Sequence, residues 1–137
     1  MHKFRAVVFS VLILCLGVTY PSLVHSASKA DLVGSWKEYW AVGQPTDVNY
    51  NDVYVIKLNQ DGKLAINCPS RPYYDFQSIE FNGTTFKVRL INRVHPQSLF
   101  IIDYELTFDQ TGKWQKGKAR TSRGNPPIVN VEWEKLP

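Results

Sequence analysis

Eight runs of alternating apolar and polar residues follow one another down this chain, and the connections between them are short and long in strict turn. Tight turns join the second run to the third, the fourth to the fifth and the sixth to the seventh, at Gln60-Asp61-Gly62, Asn82-Gly83 and Asp109-Gln110-Thr111-Gly112. The other connections, 43–52, 69–75, 92–98 and 122–127, are longer and rich in Pro, Asn, Ser and Gly. Period-two alternation bounded by such punctuation reads as strand. No run reads as a helix of ten or more residues, and no internal repeat breaks the pattern. Alternate connections of an antiparallel meander lie at the same end. The pattern therefore predicts an all-β, eight-stranded antiparallel up-and-down barrel, with tight turns at one pole and long loops at the other. Eight strands suffice to close the sheet and remove its edges.

The turns also predict registers. A three-residue loop with Gly62 in the left-handed region sets Leu58 against Leu64, Ile56 against Ile66 and Tyr54 against Cys68; a slip by one would turn Lys57 inward. Asn82-Gly83 as a type I′ turn pairs Phe81 with Thr84, Ile79 with Phe86 and Gln77 with Val88. The loop at 109–112 places Phe108 opposite Lys113 and Tyr104 opposite Gly117. Phe100, Ile102, Tyr104, Leu106 and Phe108 then face inward, while Asp103 with Lys118 and Glu105 with Lys116 form an external charge ladder. The first strand is expected over 32–42 and the last over 128–136.

Ahead of the first strand, Lys3 and Arg5 precede a mostly apolar stretch, 6–18, and then small residues from Ser26 to Ser28. That is the order of a secretory leader. A helix over 6–18 would reach about 20 Å, short of the roughly 30 Å hydrocarbon core. Residues 1–26 are thus expected to be a cleaved signal peptide, leaving one domain over 27–137, secreted or periplasmic, with no transmembrane segment. Cleavage takes Lys3 and Arg5 out of the 16 basic side chains and none of the 12 acidic ones. The net charge falls to about +2, which gives no reason to expect nucleic acid. Of the two cysteines, Cys15 leaves with the leader and Cys68 stays, so no intramolecular disulfide is expected.

At the head of the first strand, Leu32-Val33-Gly34-Ser35-Trp36 resembles the Gly-x-Trp signature of the lipocalin and calycin superfamily. The resemblance implies a lipocalin-like barrel in which Trp36, two residues after Gly34, packs across the closed end. A basic residue from a late strand, Arg120 or Lys135, is expected over it. The chain departs from that family in having neither a disulfide nor a run suited to a C-terminal helix. Avidin-like barrels share the Leu-x-Gly-x-Trp opening, but the tryptophans of their pocket have no counterpart here.

On this map the lumen candidates for holding a ligand are Tyr54, Cys68, Phe86, Phe100 and Tyr104. Gly117 and Ala119 are the small inward residues; they either leave a pocket or merely relieve crowding. A filled and a hollow lumen both stay open, because eight strands are just wide enough for side chains to fill. At the mouth, Arg71, Tyr73, Tyr74 and His95 sit on long loops, where aromatic and basic groups suit a planar or anionic ligand or a protein contact. The basic run Lys113, Lys116, Lys118, Arg120 and Arg123 reads as a charge-paired outer face.

No catalytic residue, metal or cofactor is expected. His95 is the only histidine well inside the domain, too few for a Cys₂His₂ or His₃ zinc set, and Cys68 reads as a small buried hydrophobe. The expected function is non-enzymatic binding of a small apolar or amphipathic molecule in the barrel. The alternative is an envelope protein-interaction or inhibitor module that uses the mouth loops.

Overall fold

Alternation every second residue becomes eight strands, because each strand must bury one face and wet the other. The computed structural model describes residues 26–48 and 50–137; apart from Ser26, the expected leader lies outside the described residues. The strands are β1 (Gly34–Trp40), β2 (Val53–Leu58), β3 (Leu64–Asn67), β4 (Tyr74–Phe81), β5 (Thr85–Asn92), β6 (Phe100–Phe108), β7 (Trp114–Thr121) and β8 (Ile128–Lys135). Their spatial order is β3-β2-β1-β8-β7-β6-β5-β4. Chain neighbours pair antiparallel on either side, and β1 closes onto β8 through Trp36–Lys135 to Trp40–Val131. The result is a nearly closed up-and-down barrel, consistent with a lipocalin-like fold, whose seam lies between β3 and β4. Both seam strands carry edge protection. β3 has four residues, and β4 is bulged between Gln77 and Glu80, with Ser78 at φ +50°.

The tight turns share one pole. A single helical turn, α1 (Lys29–Leu32), crosses it and takes Leu32, expected as the first residue of β1, so that the strand starts at Gly34. The Asp31 carboxylate accepts the Ser28 N–H at 2.7 Å, which closes this turn on itself and satisfies an otherwise orphan amide. From this segment Ala27 N–H donates to Gly83 O at 2.8 Å, and Lys29 Nζ donates to Gly62 O at 3.3 Å. Asn82-Gly83 and Gln60-Asp61-Gly62 therefore lie at the same end.

Trp36 seals that floor. It is fully buried, donates its indole N–H to Leu32 O at 2.7 Å and meets Phe108 edge-on at 5.8 Å. Lys135, not Arg120, is the basic residue above it: its Nζ stands 5.5 Å over the Trp36 ring and donates to Asp31 O at 2.7 Å. Gly34, at φ +138°, is needed here, since a Cβ would come within 3.1 Å of Lys135 Cε.

The registers of two hairpins differ from expectation. The β2–β3 hairpin pairs Leu58 with Leu64 and Ile56 with Ile66 as expected, and Gly62 has φ +70°. In β4–β5, Phe81 pairs with Phe86 and Glu80 with Lys87. Asn82 has no positive φ; instead Gly83 does, at +93°, and the Asn82 side chain accepts the Thr84 and Thr85 amides at 3.0 and 2.8 Å. The turn thus sits one residue later than a type I′ Asn-Gly turn would place it. The bulge then exposes Gln77 and brings Phe76 in against Tyr54. In β6–β7 the Asp109 carboxylate, bound to Thr111 and Trp114 amides, also starts the loop one residue late. Phe108 faces Gln115, and Tyr104 faces Ala119 rather than Gly117.

Candidate functional site

β1 runs inward with Trp36, Glu38 and Trp40, so alternation itself drives a carboxylate into the lumen. Aromatic rings surround it. Trp133, inward from β8 and fully buried, lies 4.6 Å from Tyr54, 5.2 Å from Tyr104 and 6.1 Å from Phe86 between ring centroids. Tyr54, Phe86 and Tyr104, three of the expected ligand contacts, are at most 2 % exposed. All three pack on Trp133, and the middle of the lumen is a filled aromatic core.

Glu38 is the polar centre of that core. Its carboxylate accepts Tyr54 OH at 3.0 Å and Trp133 Nε1–H at 3.1 Å, and the Tyr54 and Tyr104 hydroxyls are 3.3 Å apart. Complete burial pushes its pKa up to about 7, against the opposing pull of these donors. Burial likewise drives the Tyr54 and Tyr104 phenols well up, with the Glu38 charge adding to it.

At the mouth the expected loop residues divide into two groups. Arg71 grips Asp52 through Nε at 3.0 and 3.2 Å and donates from Nη1 to Tyr73 OH at 2.9 Å. Tyr74 OH donates to Asp52 at 3.2 Å, and the Arg71 guanidinium stands 5.8 Å over the Tyr74 ring. Tyr74 is the first residue of β4 and buried, not a free loop aromatic. These three residues tie the β1–β2 and β3–β4 connections together. Cys68, buried beside them, has Sγ 3.4 Å from Ser70 Oγ, and burial raises its thiol pKa.

His95 and Phe100 instead help line a cleft of about 390 Å³ between the β1–β2, β5–β6 and β7–β8 connections. Val48, Tyr50 and Val94 supply more apolar wall, and Arg123 and Asp47 the charges. Tyr50 and Phe100 lie 5.9 Å apart, with Trp40 edge-on behind Tyr50 at 5.5 Å. The Trp40 indole N–H is buried without an acceptor among the described residues. Asp47 pins two of these loops, accepting Asn125 N–H at 2.9 Å. Tyr50, Val48, Val94 and Arg123 were not singled out for this site from the sequence. They come from three separate loops, and no periodicity links them.

A wider groove of about 690 Å³ runs over the outer face of β4 to β7. Much of its charge is partnered: Arg89 pairs with Asp103 at 2.7 Å and Lys87 with Glu105 at 3.4 Å, while Lys118 donates to Asn130 at 3.0 Å. Lys116, further along the same strand, pairs with Glu132 at 3.6 Å. The ladder is external as expected but differently partnered. Exposed pairs of this kind offer little net binding energy, so the mouth cleft, where Val48, Tyr50, Val94 and Phe100 form an apolar wall beside five polar or charged side chains, is the better site. Among the described residues no group of three or more His, Cys, Asp and Glu is placed to hold a metal ion, and no helix is long and apolar enough to cross a membrane. No family model, curated protein or solved structure matches the chain.

Proposed function

We propose that this is a non-enzymatic, extracytoplasmic binding protein of lipocalin-like kind that takes a small amphipathic molecule at the barrel mouth rather than deep in the lumen. One observation carries the reading: a cleft of about 390 Å³, walled by Tyr50, Phe100, Val48 and Val94, opens among the long loops above a filled core. Its volume and its mixture of an apolar wall with polar groups that can fix orientation match small-molecule sites in general. Secretion or a periplasmic location rests on the leader pattern of residues 1–26.

Native mass spectrometry of protein purified from its source tests this. The expected result is a retained adduct of small-molecule mass that disappears in Val94→Trp, a replacement of a half-exposed side chain that fills the cleft. An adduct that survives Val94→Trp unchanged would contradict the assignment.

The filled core also favours a second reading, in which the barrel is a rigid platform and its loops grip an envelope protein. A complex captured from the extracytoplasmic fraction, and lost on Val94→Trp without any small-molecule adduct in the wild type, is the outcome that reading requires.

A further inference from the structure

We propose that the ligand of the mouth cleft is an amphipathic anion whose acid group is held by Arg123 while its flat apolar body lies on Tyr50 and Phe100. This rests on the cleft being the binding site. The mouth carries three arginines whose partners differ. Arg71 holds Asp52 at 3.0 Å and Arg93 holds Asp75 at 2.7 Å. Arg123 has no carboxylate partner among the described residues, and its guanidinium is steadied by the Ser98 hydroxyl on the facing loop. A guanidinium fork is built for planar two-oxygen acids, so one with no carboxylate on the rim of an aromatic cleft marks where an anion's oxygens go. His95 lies in the same lining and offers a ring N–H. The one carboxylate in the cleft, Asp47, already has Oδ1 occupied by the Asn125 amide at 2.9 Å. Tyr50, Phe100, Val48 and Val94 make the apolar part of the wall, which suits a ring system rather than a second charge.

Two fluorescent probes share an aromatic body and differ in charge: 8-anilinonaphthalene-1-sulfonate is an anion and N-phenyl-1-naphthylamine is neutral. Titration of both into wild type, Arg123→Gln and Val94→Trp, with melting temperatures checked for each variant, separates the possibilities. The expected result is that Arg123→Gln weakens the sulfonate about tenfold, the loss of one charge-assisted contact, and changes the neutral probe by less than about twofold. Val94→Trp should block both. If Val94→Trp blocks both probes but Arg123→Gln affects them equally or not at all, the anion assignment is overturned and the cleft stands as the site. If Val94→Trp changes neither, the cleft reading is overturned, and the anion assignment with it.

Discussion

Glu38 shows how a single alternating position shapes the whole interior. Trp36 and Trp40 face inward, and a strand cannot turn the residue between them two steps on to the other side. The carboxylate is therefore buried, and burial raises its pKa from 4.5 to about 7. Because the folded value lies above the unfolded one, the native state binds the extra proton between these two values. This contribution to stability is fully present below about pH 4.5 and falls as pH rises to about 7, by on the order of 3 kcal/mol. Glu38→Gln keeps the shape and can still hydrogen-bond Tyr54 and Trp133, but it cannot titrate. Denaturant melts at pH 5, 6, 7 and 8 should show wild-type stability falling relative to Glu38→Gln across that range; parallel pH profiles would contradict a buried, titrating Glu38. Trp36, Glu38 and Trp40 share a parity that was readable in the sequence, yet the acid's partners were not, because Tyr54, Tyr104 and Trp133 reach it from three other strands.

Parity and register separate at the level of elements. The side chains read as inward on β5, β6 and β7 do face inward, and so do Tyr54 and Ile56 on β2; the exceptions are Leu58, exposed at the end of β2, and Gln77 on β4, beyond the bulge. The pairs across β4–β5 and β6–β7 moved, because Asn82 and Asp109 bind turn amides with their side chains and start each loop a residue later. Starting a loop one residue late shifts cross-strand partners by two, which preserves the buried face; hydrophobic pattern alone is blind to such a shift. The bulge at Ser78 was equally invisible, since nothing in Gln77-Ser78-Ile79 marks it. Gly117 acquires a different role from the one its expected partner Tyr104 gave it. It faces Leu106, and a Cβ there would run into the Glu105 carbonyl oxygen and the Leu106 Cα, backbone atoms with nowhere to go. Gly117→Ala should cost about 2–3 kcal/mol and lower the melting temperature by roughly 10 °C. Gly112→Ala, in an open turn at φ +68° with no atom within 4 Å of its Cβ, should cost only about 1–2 kcal/mol for the left-handed backbone. Calorimetry that ranks Gly112→Ala as the worse of the two would contradict the close approach of β6 and β7.

Taken as a whole, the molecule is built differently at its two poles. The floor is locked by α1, Trp36 under Lys135 and three tight turns. The mouth is made of longer connections, stitched by Asp47 to Asn125 and by Arg71 to Asp52, with the cleft between them. That polarity was legible from the alternation of short and long connections. The filled lumen was not, since whether eight strands enclose a hole depends on which rings meet across the axis. Phe100 links the two halves of the problem: read as lumen-facing, it stands at the start of β6, where the filled core ends and the cleft begins.

Backbone amide NMR during titration with N-phenyl-1-naphthylamine tests the location of the site most directly. Shifts concentrated at residues 47, 48, 50, 94, 95, 98, 100, 123 and 124 are the predicted result. Shifts concentrated instead at the core positions Ile56, Phe86, Leu106 and Val131 would place the ligand inside a lumen that opens, and would contradict a filled barrel that binds at its rim.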